Sequence, residues 1–327
     1  MKKYELTAEF IEKWGKKLFR IKALISFGSV EAGELGGYIE KEDNLAHDGN
    51  AWVYGDAEVC GNAWVYGDAE VCGNARVYGD AEVCGNAWVY GNARVYGNAE
   101  VYGNARVCGN AEVYGDAEVC GNARVYGNAR VYGNAEVYGD AEVCGDAEVY
   151  GNARVCGNAR VCGNARVYGN ARVYGNAEVY GDAEVCGDAE VYGNARVCGN
   201  ARVCGNARVY GNAWVYGNAW VYGDAEVCGN ARVYGDARVY GNADYLLIGR
   251  IGSRFSFTTF FKNKDKGITV SCGCFLGTIA EFRAKVTDTH GNNKHAKMYN
   301  LAADMAELQI LGEEYFDKLN TNKSEPF

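Results

Sequence analysis

The sequence predicts an all-β fold, a single-stranded parallel β-helix with small α+β capping regions at both ends, and three observations predict it. First, Gly49 to Tyr240 divides, without insertion or deletion, into 32 consecutive hexads of the form Gly-Asn/Asp-Ala-x-Val-Tyr/Cys. A fixed short period of this kind marks a solenoid. Second, Ala and Val in each hexad flank one variable residue, as in Ala51-Trp52-Val53. On a strand, Ala and Val then share one face and the variable residue takes the other. Third, the chain holds 45 Gly but a single proline, Pro326, and 48% of its residues are hydrophobic. Collagen's three-residue period is absent, and the apolar content suits a packed interior rather than disorder.

In chain order, residues 1–48 form a non-repetitive N-terminal region. Thr7 reads as the cap of a short helix from Ala8 to Lys16, with Glu9 in its first turn. Leu18 to Phe27 reads as a strand, and Gly36-Gly37-Tyr38-Ile39-Glu40 leads into the first coil. Residues 49–242 form the repeat domain. Ala and Val face inward, Trp, Glu or Arg faces outward, and Tyr or Cys points outward near the corner. Gly-Asn and Gly-Asp tolerate the left-handed backbone that a tight corner needs. Three hexads make a triangular coil of 18 residues, giving about 10–11 coils and, at a strand spacing of about 4.8 Å, a rod roughly 50 Å long.

Residues 243–327 form the C-terminal region. Phe255 to Phe261 reads as an aromatic strand, Asn263 to Gly267 as a turn, and Ile268 to Phe275 as the returning strand. Thr278 and Glu281 form a capping box that opens a helix to about Thr289, which His290-Gly291 stops. A longer helix runs from about Lys294 to Leu311, with Met298, Leu301, Met305, Leu308 and Leu311 at helical spacing. A solenoid has open ends with unpaired backbone groups, and the two flanking regions can cover them.

The net charge of −9 comes entirely from the repeat, which holds 14 Arg against 13 Glu and 10 Asp. Phosphate backbones call for basic surface, so nucleic acid is not the expected partner. No stretch is apolar enough for a membrane span or a secretory leader, and no membrane partner is expected. Twelve of the 14 cysteines occupy one repeat position in free exchange with Tyr. That pattern reads as reduced thiols in a cytoplasmic protein.

Read eighteen residues apart, two faces alternate in sign. One runs Arg124, Glu142, Arg160, Glu178, Arg196, and the other Arg130, Glu148, Arg166, Glu184, Arg202. Opposite charges about 5 Å apart on neighbouring coils contribute about 0.2–1 kcal/mol per pair. The third face instead carries Glu82, Glu100, Glu118 and Glu136 in succession, a ladder that costs stability unless a cation or basic partner neutralises it. The second face also carries Tyr78, Tyr96, Tyr114, Tyr132, Tyr150 and Tyr168. That row reads either as a stack that stiffens the rod or as a self-association surface. Nine of the ten Asp-containing hexads read Gly-Asp-Ala-Glu, which suggests duplication of a few cassettes.

The stretch from Gly36-Gly37-Tyr38 through Ala46-His47-Asp48-Gly49-Asn50-Ala51-Trp52-Val53, running straight into the hexads, resembles the YdcK-like hexapeptide-repeat proteins. The resemblance implies a left-handed winding and a place, by fold, in the trimeric LpxA-like acyltransferase superfamily, whose members are often named as transferases. The segment from Val270-Ser271-Cys272-Gly273-Cys274-Phe275 to Thr289-His290-Gly291 resembles a C-terminal module of phage and prophage proteins with similar rods, and so implies a bacterial or prophage origin.

Hexapeptide acyltransferases use a histidine base between coils, often beside an interrupting loop. The three histidines here all lie outside the hexads, and no loop interrupts them. His47, just before the first coil, reads as an end-cap side chain or, in an acyltransferase, as the base at a subunit interface of a trimer. Cys272-x-Cys274 with His290 and His295 could hold zinc tetrahedrally, or the two cysteines could pack on one side of a strand. Otherwise no cofactor is expected, and flat threonine ranks for ice binding are absent. The leading reading is a non-catalytic β-solenoid scaffold or interaction protein that engages a protein partner or self-associates through its faces or caps. An acyltransferase-like enzyme is the alternative, and a small-ligand binding or sequestering protein is a further one.

Overall fold

The computed structural model describes residues 1–312; the end of the C-terminal region, 313–327 with Pro326, lies outside the described residues. The chain forms two compact units, Met1–Asn176 and Ala177 onward, with the boundary inside the repeat tract.

In the first unit, β1 (Tyr4–Lys13) and β2 (Lys16–Ala23) form an antiparallel hairpin, β2 pairs antiparallel with β3 (Leu35–Ile39), and β3 pairs in parallel with the repeat strand Glu58–Val59. The helix expected over 8–16 is therefore absent. Trp14 and Gly15 both adopt positive φ, 52° and 73°, as a two-residue hairpin loop whose twist matches its strands requires. Once Trp14-Gly15 turns the chain, Tyr4–Lys13 pairs with Lys16–Ala23 and Thr7 lies inside a strand rather than at a helix start. The strand expected from Leu18 begins earlier and ends at Ala23.

The repeat builds parallel strands joined in eighteen-residue register. Trp88 pairs with Arg106, Arg94 with Glu112, and Glu100 with Glu118. The second unit repeats the pattern, with Glu184 on Arg202 and Glu190 on Arg208. Where a coil follows, a hexad's amides donate to it in a set pattern: the corner amide to a glycine carbonyl, the variable residue's to an alanine carbonyl, and that of Tyr or Cys to a valine carbonyl. Asn98 to Gly115, Glu100 to Ala117 and Tyr102 to Val119, at 2.8–3.0 Å, are one such set. Every Ala and Val from Ala51 to Val239 in the inner two positions is fully buried, so the interior is a dry stack of small aliphatic side chains.

The corners differ from expectation in one respect. The glycines take the positive φ; the neighbouring Asn and Asp do not. Asn instead donates its side-chain amide to the Asn or Asp eighteen residues on, as in Asn92 to Asn110 (3.1 Å), Asn110 to Asn128 (3.0 Å) and Asn128 to Asp146 (2.8 Å). Asn can both accept and donate, whereas Asp can only accept. In the sequence no Asp has another Asp eighteen residues away; each stands next to Asn in its column, which avoids stacking like charges.

In the second unit, residues after the repeat form an antiparallel sheet of Tyr245–Ile251, Ser256–Lys262, Ile268–Cys272 and Phe275–Thr278, followed by α1 (Ile279–His290) and α2 (Lys294–Leu311). The Asn263–Gly267 turn, the Thr278/Glu281 capping box and both helices lie where the residues predict them. Tyr245–Ile251 is an additional strand. The returning strand divides at Gly273 (φ 60°), which turns the chain between Cys272 and Phe275.

The apolar stripe of α2 is, for the most part, not its buried face. Ala296, Tyr299, Ala302, Ala303, Ala306 and Ile310 are buried against the sheet and α1. Met298, Leu301, Met305 and Leu308 are 41–62% exposed. Small alanines allow close approach of helix to sheet, and that preference outweighs the bulk of the Met/Leu stripe.

Candidate functional site

Four places carry the residues of functional interest. At the N-terminal end, His47 Nδ1 accepts a hydrogen bond from the backbone N–H of Lys3 at 3.2 Å. The ring stacks on Tyr4 with centroids 4.4 Å apart, and Nε2 lies 3.7 Å from a Glu42 carboxylate oxygen. With the Nδ1 lone pair engaged, the neutral ring carries its proton on Nε2 and has no free lone pair for proton abstraction. Beside it Lys3 is buried, its ammonium donating to the Ala51 carbonyl at 2.8 Å. Burial pushes that ammonium down to about 8, against opposing pulls from Asp48 and Asp68.

The tyrosine row in the first unit is a continuous stack. Centroids of Tyr78, Tyr96, Tyr114, Tyr132, Tyr150 and Tyr168 follow at 4.8–5.0 Å with interplanar angles of 1–4°. The rings spend their faces on one another and turn their edges outward. Burial, then Glu112 and Glu148 respectively, pushes Tyr96 and Tyr132 up to about 12.

The acidic ladder is partly answered from within. Glu82, Glu100, Glu118 and Glu136 stand in parallel register. Tyr66 and Tyr102 donate their hydroxyls to Glu82 and Glu118, each at 3.1 Å, and Arg154 lies 3.1 Å from Glu136. Glu100 has no such partner among the described residues, and burial followed by Glu118 and Glu82 raises its carboxyl above the ordinary value. On the alternating faces Glu142 receives both Arg124 (3.5 Å) and Arg160 (3.3 Å), while Arg130 meets Glu148 at 3.3 Å and Arg202 meets Glu184 at 3.5 Å.

The repeat cysteines are not all reduced thiols. Cys144–Cys162 and Cys186–Cys204 are disulfides with Cα atoms 4.6 Å apart. These are the two places in the tract where Cys follows Cys at eighteen residues; the coil register puts such a pair within bonding reach. Everywhere else in the tract a cysteine's column neighbours are tyrosines, and those cysteines are free. Exchange with Tyr at one position of the repeat therefore did not rule out pairing along the column.

In the C-terminal module, Cys272, Cys274 and His290 line one cavity, and His295 is not in its wall. The turn at Gly273 takes Cys274 off the strand, so the two thiols do not share a strand face. Cys272 Sγ accepts from Thr258 Oγ1 at 3.2 Å, and His290 stacks on Tyr299 with centroids 5.8 Å apart. Among the described residues no three His, Cys, Asp or Glu side chains are grouped to hold a metal ion, so the zinc set suggested by spacing is not assembled. Arg254, Lys285 and Tyr299, which line the same cavity, carried no sequence signal, because loop and helix residues with no shared period meet there through tertiary packing.

These features define a β-solenoid repeat protein with built ends. Its repeats match the family model described as the YdcK beta solenoid repeat at residues 87–103, 117–139, 147–181, 189–217 and 225–241, in overlapping copies. No curated protein matches the chain. No helix among the described residues is long and apolar enough to cross a membrane.

Proposed function

We propose that this β-solenoid is a non-catalytic scaffold, bacterial or prophage-encoded, that joins copies of itself through α2. The observation that carries the reading is the exposed stripe Met298, Leu301, Met305 and Leu308. Its 3-4-3 spacing is that of alternating a and d positions, the pattern by which a helix packs against another of its own kind. Monomeric surfaces rarely leave such a contiguous apolar stripe uncovered. The helix is already held by its buried alanine face, so association does not bear the cost of nucleating it. The engaged lone pair of His47 and the self-satisfied faces of the coils support a structural role over acyl transfer.

Native mass spectrometry of the full chain tests this. The wild type is expected as an oligomer, and Leu301→Glu with Met305→Glu as a folded monomer that keeps the wild type's circular dichroism spectrum and loses the concentration dependence of its melting temperature. A monomeric wild type, or an oligomer indifferent to both substitutions, would contradict it. A different protein retained on that stripe would shift the reading to a heterologous partner.

A further inference from the structure

The C-terminal sheet, the loop carrying Arg254, α1 and Tyr299 of α2 line a cavity of about 420 Å³, within the range that holds small organic ligands. Phe275, Phe282 and Val286 give it apolar walls; Arg254, Lys285 and His290 stand among them, and among the described residues no carboxylate lines it. Lys285 is paired outside the wall with Asp288 at 3.0 Å. Arg254 has no hydrogen-bond or ion-pair partner among the described residues.

The placement of Arg254 is enforced by the backbone. Its loop, between Tyr245–Ile251 and Ser256–Lys262, holds Gly252 and Phe255 at φ of 73° and 48°, and Arg250, at the end of the preceding strand, has φ 51°. For Arg and Phe this conformation is costly and persists only where surrounding structure imposes it. A side chain at Gly252 would collide with the Tyr299 hydroxyl, so tyrosine packs directly on the loop backbone. The guanidinium comes to rest over the Cys272-Gly273-Cys274 turn, with Nη1 3.6 Å from where a Cβ on Gly273 would stand. An unpaired guanidinium held by a strained loop over an acid-free, half-apolar cavity is a preorganised anion receptor.

We propose that this cavity binds a small organic anion, with Arg254 holding its carboxylate, sulfonate or phosphate head and Phe275 and Phe282 receiving its apolar body. The probe is 8-anilinonaphthalene-1-sulfonate, titrated into the full chain by calorimetry, with uncharged N-phenyl-1-naphthylamine as comparison. Arg254 is exposed, so its substitution leaves folding intact, which an unchanged melting temperature checks. One site per chain is expected, weakened about tenfold, equivalent to about 1.4 kcal/mol, by Arg254→Gln and largely retained by Arg254→Lys. The uncharged compound is expected to be indifferent to both changes. Saturating anion should also slow iodoacetamide alkylation of Cys274, read by peptide mass spectrometry so that other thiols do not interfere. Anion affinity unchanged in Arg254→Gln, or alkylation of Cys274 unaffected by the anion, would overturn the assignment.

Discussion

Two corner glycines separate backbone strain from coil contact. Gly55 and Gly97 have similar left-handed φ, 63° and 74°, and alanine at either pays about 1–2 kcal/mol for that conformation. The sites differ in what a Cβ would meet. At Gly55 the nearest atom is the Gly73 carbonyl oxygen at 3.7 Å, an ordinary contact. At Gly97 the amide nitrogen and carbonyl oxygen of Gly115 lie at 2.9 and 3.1 Å, and backbone on both sides must move. Overpacking of that kind adds about 1–3 kcal/mol. Gly55→Ala is thus expected to cost about 1–2 kcal/mol and Gly97→Ala roughly 2–5 kcal/mol. Because a solenoid opens locally, hydrogen exchange is the suitable assay. The amides of Asn98 and Glu100, bonded to Gly115 and Ala117, report on one site; those of Asp56 and Glu58, bonded to Gly73 and Ala75, report on the other. Loss of protection at least about fivefold greater around Gly97 is expected. Equal losses would refute the idea that the corners are limited by glycine-on-glycine stacking.

Further outcomes follow from the same geometry. Leu301→Gln on exposed α2 surface should leave the melting temperature of the isolated monomer unchanged, whereas Ala303→Leu on the buried face should lower stability by about 1–3 kcal/mol; calorimetry separates them. Glu100 has a raised carboxyl pKa, so its ionised form opposes folding at neutral pH and that penalty fades as pH falls through the carboxylate range. Glu100→Gln should therefore gain about 0.3–0.5 kcal/mol at pH 7 and nothing at strongly acidic pH, measured by denaturant titration at both. Alkylation of the denatured chain should label ten thiols without reductant and all 14 with it; 14 without reductant would exclude the two column disulfides. Tyr114→Ala removes two stacked partners and should destabilise its coils by at least about 1 kcal/mol, seen as faster exchange at Glu112 and Arg130.

The solenoid was legible because every hexad repeats one local rule: Ala-x-Val alternation fixes what is inside, and the eighteen-residue register then fixes every column. Charge alternation and the tyrosine stack are consequences of that register. The roles of Asn and Cys were less accessible because they depend on the identity of the residue one coil away. At the ends, local signals succeeded where they were self-contained, as at Thr278 and Glu281, and failed where partners decided the outcome. Tyr4–Lys13 became a strand because Trp14-Gly15 brings Lys16–Ala23 beside it. In α2, the spacing of Met298 and Leu301 marked a helix but not its buried side, which close packing gave to Ala302, Ala303 and Ala306. The cavity under Arg254 is assembled from a loop, a turn and two helices with no common motif.

Whether copies of the chain meet through α2 is most directly tested by placing the photo-crosslinker p-benzoylphenylalanine at Leu301 and irradiating a mixture of isotopically light and heavy protein. The expected result is a light–heavy crosslink between position 301 and a peptide within Lys294–Leu311 of another copy. Crosslinks confined to one copy, or joined to another surface, would contradict assembly through this helix.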